Sequence, residues 1–207
     1  MDLDQNTALI IIDTQMGFLD PKWGERNNPE AEANIAALLA AWRRNGLPVI
    51  HVHHDSTAPA GVFRPGSPGH EAKPEAAPRA GEPIYHKTVN SAFIGTNLER
   101  DLRARRIEHV VIAGLTTNHC VSTTTRMAGN LGFGTYLVSD ATATFARAHV
   151  DGRMRSAEEV HLAALSDLNE EFATIVSSGE VLRAVQSLAA FGSGPSTTSV
   201  STRRERA

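Results

Sequence analysis

The chain of 207 residues balances 20 Lys and Arg against 23 Asp and Glu for a formal charge of −3, with 41% hydrophobic and 21% charged residues. This composition excludes wholesale disorder, and it offers neither a broad basic surface for nucleic acid nor a polybasic patch for a membrane. The longest aliphatic run, Ala8 to Ile12, is too short for a membrane span or a signal-peptide core, and the single cysteine, Cys120, excludes an intrachain disulfide and a cysteine-rich metal cluster.

In chain order, Ala8–Asp13 reads as a buried parallel strand, a short aliphatic block closed by a charge. Asn28-Pro29 predicts a helix start, with Asn as cap and Pro at the first helical position. Ile35, Leu38, Leu39 and Trp42 share one face of that helix, and Asn45-Gly46 stops it. Leu47–His53 is the second strand. Residues 55–83 then carry six of the ten prolines. So long a connection is expected either to border a site or touch another subunit, or to be a pinned surface excursion. A short strand follows at Pro83–Lys87, a helix at Asn97–Arg105, a strand at His109–Gly114 and a helix from about His119 to Asn130. Gly134–Val138 gives a fifth strand. Ser156 and Glu159 form a capping box for a helix to about Leu168. Phe172–Val176 is the sixth strand, and Ser178 caps a last helix.

Strand–helix alternation at this spacing predicts an α/β fold: a Rossmann-like, three-layer α/β/α sandwich around a mostly parallel six-stranded sheet. One domain is expected over residues 1–191. A tail over 192–207, rich in Ser and Thr and ending Arg203-Arg204-Glu205-Arg206, is expected to be disordered. A soluble, cytoplasmic protein is the corresponding expectation.

Ligands of open parallel sheets bind beyond the carboxyl ends of the strands. Asp13, Lys87 and Cys120 lie at such ends, far apart in the chain yet able to meet at one rim. A free thiol ionises near ~8.5 and is mostly protonated at neutral pH. A helix start and a nearby ammonium would favour the thiolate, and a carboxylate could accept its proton. Taken singly, each residue has a plainer reading: Cys120 as a small buried hydrophobe, Asp13 as a cap, Lys87 as a surface lysine.

Asp13-Thr14-Gln15-Met16-Gly17-Phe18, His86-Lys87 and Gly114-Leu115-Thr116-Thr117-Asn118-His119-Cys120-Val121 stand in that order after three strands. Over about residues 7 to 177 the chain resembles the isochorismatase-like cysteine hydrolases, which include nicotinamidases, N-carbamoylsarcosine amidohydrolases and ureidoacrylate amidohydrolases. The resemblance implies a catalytic set of Asp13, Lys87 and Cys120. It also implies a cis Leu115–Thr116 peptide that turns the Thr116 and Cys120 amides toward one oxyanion. The implied reaction is hydrolysis of a small amide, ureide or carbamoyl C–N bond through a thioester on Cys120. Gln15 and Phe18 match the motif after Asp13, and with His54, Asn90, Phe93 and Thr117 they are the expected substrate contacts. Arg64 and Arg79, in the long loop, are candidates to receive a substrate carboxylate.

Nicotinamidases carry an Asp-x-His metal motif after the second strand, whereas here the order is His53-His54-Asp55, with His70 further on. The signature is not met, so no metal and no other cofactor is expected. The expected partner is a small-molecule substrate, not nucleic acid or a membrane, and the resemblance implies a homo-oligomer. Two alternatives remain: a vinyl-ether hydrolase of the isochorismatase type using Asp13 without the thiol, and a catalytically silent binding or scaffold protein.

Overall fold

The computed structural model describes residues 1–192. Its elements in order are β1 (Ala8–Ile12), α1 (Ala31–Arg44), β2 (Val49–His54), β3 (Ile84–Lys87), α2 (Leu98–Ala104), β4 (His109–Leu115) and α3 (Ser122–Asn130). They are followed by β5 (Gly134–Ala143), β6 (Arg147–Ala148), β7 (Met154–Arg155), α4 (Ala157–Ser166), β8 (Thr174–Val176) and α5 (Ser178–Gly192). Six strands form one sheet in the order β3-β2-β1-β4-β5-β8, all neighbours parallel, and β6 and β7 make a separate antiparallel pair. This is the predicted α/β architecture. The tail beyond Gly192 lies outside the described residues, and Gly192 itself closes α5.

The aliphatic block of β1 explains the layering. Its side chains alternate, so Ala8, Ile10 and Ile12 join Leu98 and Leu102 of α2 and Ala128 of α3 on one face. Leu9 and Ile11 join Ile35, Leu38, Leu39 and Trp42 of α1 and Val181 and Val185 of α5 on the other. A strand buried on both faces needs to be apolar throughout, and all five residues of β1 are buried. The Trp42 indole satisfies its N–H by donating to the Thr7 carbonyl at 3.0 Å.

Strand order sets the site. From β1 the chain winds outward through β2 to β3, then returns to lay β4 against the other side of β1. The carboxyl ends of β1 and β4 therefore flank the switch point where such sheets open a crevice. Gly114 makes their close approach possible: at φ +127° a Cβ on it would stand 2.0 Å from the Ile12 carbonyl oxygen.

Several local expectations change. Strand β5 does not end at Val138. It is irregular opposite Ile112–Gly114 and then pairs again with β4 through Thr142 and Ala143. Asn28 does not cap α1, which starts at Ala31 with no side-chain cap. Its amide instead donates to the Ser139 and Thr142 carbonyls at 3.0 and 2.7 Å, spanning the irregular stretch of β5. At the start of α5 the capping hydroxyl is that of Ser177, which accepts from the Glu180 amide, while Ser178 donates to Asp140. The capping box of Ser156 and Glu159 and the Gly46 stop at φ +64° are present as predicted. None of the described helices is long and apolar enough to cross a membrane.

Candidate active site

Asp13, Lys87 and Cys120 meet at the carboxyl edge of the sheet. Asp13 follows β1 at φ +46°, a left-handed conformation that Asp tolerates and that turns its side chain off the strand direction. Lys87 closes β3 and donates to Asp13 Oδ2 at 2.6 Å, both side chains being shut from solvent. Cys120 is half-buried. The helix expected to begin at His119 begins at Ser122; Cys120 lies before it, inside a wider π-helical turn over Thr117–Val121. Such turns occur often at functional positions. The preceding Leu115–Thr116 peptide is cis.

A ligand atom from each of Asp13, His54 and Cys120 lies within 4.8 Å of the others. Asp13 Oδ1 is buried and has no hydrogen-bond partner among the described residues. One carboxylate oxygen is thus fixed by the ammonium, and the other is left without a hydrogen bond.

These groups open on a cavity of about 570 Å³. Phe18, Trp23, Phe63 and Phe145 form an apolar wall with ring centroids 4.7 to 6.1 Å apart. Phe63 comes from the proline-rich loop, which therefore borders the site. His54, Asn90, Asn118, His119, Thr144 and Arg147 supply polar groups.

Burial dominates the electrostatics. The Cys120 thiol is pushed up to about 12 by burial and by the Asp13 charge, against the opposing pull of Lys87. The Asp13 carboxyl is raised as well, because burial outweighs Lys87. The thiolate expected from a helix start is thus not the resting form: no regular helix begins at Cys120, and desolvation disfavours a second anion beside Asp13. Burial and then the Lys87 charge lower His54. Its Nδ1 lies 3.3 Å from the Lys87 ammonium, which can only donate, so Nε2 carries the ring hydrogen. Alkylation of the sole cysteine by iodoacetamide, followed by intact mass, should accelerate steadily with pH and show no plateau below about pH 9. A plateau near neutrality would reveal a resting thiolate and overturn this account.

The structure sorts the expected substrate contacts. Phe18, His54, Asn90 and Thr116 line the cavity with Asp13 and Cys120. Gln15 is fully buried and ties segments together, its amide donating to the His54 and His70 carbonyls and its oxygen accepting from the His54 amide. Thr117 is fully buried, with Oγ1 2.9 Å from His161 Nδ1. Phe93 packs against the core and stacks on Phe133 at 6.0 Å. These three side chains do not line the cavity, and neither do Arg64 and Arg79.

Thr144, Phe145 and Arg147 were not expected there. Ending β5 at the polar pair Ser139-Asp140 hid its true carboxyl end, where the strand-end rule would have found them. Trp23 and Phe63 sit in irregular segments and carry no periodic signal.

Among the described residues, two groups have metal-ligating donors close together: Asp13, His54 and Cys120, and separately Asp55, His70 and His86. The first has the Lys87 ammonium against it, which repels a cation. In the second, Asp55 Oδ1 is 2.7 Å from His70 Nε2 and 2.9 Å from His86 Nδ1, hydrogen bonds that pin the long loop to β2 and β3. The His53 ring stands edge-on to both imidazoles, with centroids 6.0 and 5.8 Å away.

The isochorismatase domain family matches residues 7–180. The chain is 49% identical over 180 residues to the uncharacterized isochorismatase family protein YrdC of Bacillus subtilis, covering 87% of this chain and 96% of YrdC. It is 30% identical over 172 residues to the ureidoacrylate amidohydrolase RutB of Variovorax paradoxus, covering 66% and 68% of the two chains. A solved isochorismatase-family structure from Chromobacterium violaceum superposes with a TM-score of 0.88 at 46% identity, covering 90% of this chain and 96% of that one.

Proposed function

The chain belongs to the isochorismatase family, and we propose that within it this protein is a cysteine-dependent hydrolase of a small amide, ureide or carbamoyl C–N bond. The observation that carries the reading is the Asp13 carboxylate, with one oxygen held by Lys87, the other without a hydrogen bond, and the carboxyl group close to the Cys120 thiol. A raised carboxyl is a stronger base than an ordinary Asp, as a group that must take a thiol proton needs to be. The amidohydrolase activity in the name of the RutB relative supports the bond type.

In the proposed cycle the thiol keeps its proton until substrate binds. Asp13 Oδ1 then takes it as Cys120 Sγ attacks the carbonyl carbon, so no free buried thiolate has to persist. The oxyanion is received by the Thr116 and Cys120 amides, each such donor contributing about 3–4 kcal/mol in the transition state. Lys87 holds Asp13 in place and offsets the added negative charge. As the C–N bond breaks, protonated Asp13 returns its proton to the leaving nitrogen, releasing ammonia or an amine and leaving a thioester. A water then attacks the thioester, giving a proton to Asp13; the acid departs and the proton returns to sulfur. No step runs through a metal or organic cofactor. The reading takes the protein as cytoplasmic and homo-oligomeric.

The test is an ammonia-release screen over small amides, ureides and carbamoyl compounds, combined with acid quenching and intact mass. The expected result is ammonia together with an acyl adduct on Cys120. Cleavage of a vinyl ether with no adduct would instead favour the thiol-independent alternative.

A further inference from the structure

We infer that His161 is a positioning residue for the proposed hydrolysis: its hydrogen bond to the Thr117 side chain holds, from behind the cavity, the turn that follows Thr116 and carries Cys120. The inference rests on the hydrolase reading and extends it to a residue outside the cavity wall.

The turn over Thr117–Val121 divides its side chains between two sides. Asn118, His119 and Cys120, with Thr116 before them, line the cavity. Thr117 and Val121 point the other way and are fully buried. On the cavity side, Asn118 Oδ1 accepts from the Thr144 hydroxyl at 2.6 Å, and His119 Nε2 lies 2.8 Å from Arg147 Nη1. Behind the turn, Val121 packs in the core, where apolar contact is non-directional and fixes no orientation. Among the described residues, the only side-chain hydrogen bond on that rear side joins Thr117 Oγ1 to His161 Nδ1, 2.9 Å apart. Orientation of the turn from behind therefore depends on this bond.

An imidazole at position 161 calls for a reason. It lies on the inner face of α4 with Ala157, Val160 and Leu165, and is 3% exposed. A buried polar ring costs free energy unless its nitrogens are partnered, and an aliphatic side chain would complete that face without the cost. Both nitrogens have partners. The Asn28 amide group, which donates to the Ser139 and Thr142 carbonyls, stands 3.4 Å from Nε2. A donor at that place requires Nε2 to keep its lone pair, so the hydrogen sits on Nδ1 and is given to Thr117 Oγ1. Burial lowers His161 against the opposing Glu158 charge, in agreement with a neutral ring. One line of contacts thus runs from β5 through Asn28 and His161 to the back of the turn.

Thr117 stands between Thr116 and Cys120, so a rotation of the turn about it would move both proposed oxyanion amides and the sulfur. A displacement of about 1 Å among reacting groups can cost on the order of 100-fold in rate.

The experiment breaks the bond from each end while keeping bulk, with Thr117→Val and His161→Leu. Thr117→Ser and His161→Asn keep a hydrogen-bonding group at each end. The ammonia-release assay gives kcat and KM, beside the thermal midpoint. A second readout needs no turnover: benzaldehyde adds the Cys120 thiol across its C=O as a hemithioacetal, whose oxygen would occupy the oxyanion position. Its affinity is read as protection of Cys120 from iodoacetamide. Thr117→Val and His161→Leu should each lower kcat and weaken this protection about tenfold to a hundredfold, with KM and the alkylation rate without aldehyde little changed. Thr117→Ser and His161→Asn should restore most of the loss. Thr117→Val combined with His161→Leu should be no worse than the weaker single variant, since both remove the same bond. Additive losses, or Thr117→Ser as impaired as Thr117→Val, would overturn the inference. A lowered thermal midpoint with kcat and protection intact would do the same. Wild-type protein that releases no ammonia and gains no protection from benzaldehyde would overturn the hydrolase reading and this inference with it; protection shared equally by wild type and variants would overturn this inference alone.

Discussion

Replacement of Cys120 by Ala is expected to lower turnover by a factor of about 10⁴ or more, because the covalent step has no substitute in the cavity. The chain holds no second cysteine, and the nearest polar groups are Asp13, which has no nucleophilic thiol to activate in the variant, and a neutral His54. Folding should survive. Cys120 is half-buried at the edge of the core cluster, and deletion of one sulfur there should cost about 1 kcal/mol, as for removal of a methyl-sized group. Steady-state ammonia release together with the thermal midpoint separates the two effects. Full turnover in a well-folded Cys120→Ala protein would move the chemistry to Asp13 alone and remove the thioester from the mechanism.

Lys87→Met should have the largest effect on stability. Lys87 and Asp13 form an ion pair whose side chains are 0% and 1% exposed, and removing one partner of such a pair costs about 3–5 kcal/mol. The loss comes from stranding the Asp13 carboxylate in a dry site. Asp13→Asn combined with Lys87→Met should therefore recover much of it, and Asn accepts the positive φ of that position. Linkage gives a second signature. Without Lys87, the chief opposing influence is gone and burial holds the Asp13 carboxyl still further above its ordinary 3.8. The folded variant then keeps a proton that the unfolded chain releases, so stability is greatest below pH 3.8 and declines as pH rises from there up through the raised folded value. Urea unfolding across that range should show a steeper decline for Lys87→Met than for the double variant. Equal slopes, or no rescue in the double variant, would mean that the pair does not carry this energy.

Much of this molecule was legible in the chain because local patterns set local outcomes. The five apolar residues of β1 announced a strand buried on both faces, the spacing of Ile35, Leu38, Leu39 and Trp42 gave a helix facing it, and alternation of such units implied a parallel sheet. The rule that ligands lie beyond the carboxyl ends of strands then singled out Asp13, Lys87 and Cys120 before any contact was known. What the chain did not reveal depends on contacts between distant segments. Asn28 reads as a helix cap, yet its amide is drawn to the Ser139 and Thr142 carbonyls on either side of the irregular stretch of β5. That same irregularity carries β5 past a polar pair and brings Phe145 and Arg147 to the cavity, while Gln15 and Thr117, adjacent to functional positions in sequence, turn away to bind backbone and His161. The protonation of Cys120 is likewise a tertiary property: motif and neighbours in sequence suggest an activated thiol, but burial beside a carboxylate keeps it neutral. Apolar periodicity determines which elements form and which face each buries, because those depend on residues a few positions apart. Side-chain direction, charge balance and desolvation at the rim are decided only when β1, β3, β4 and β5 are brought side by side.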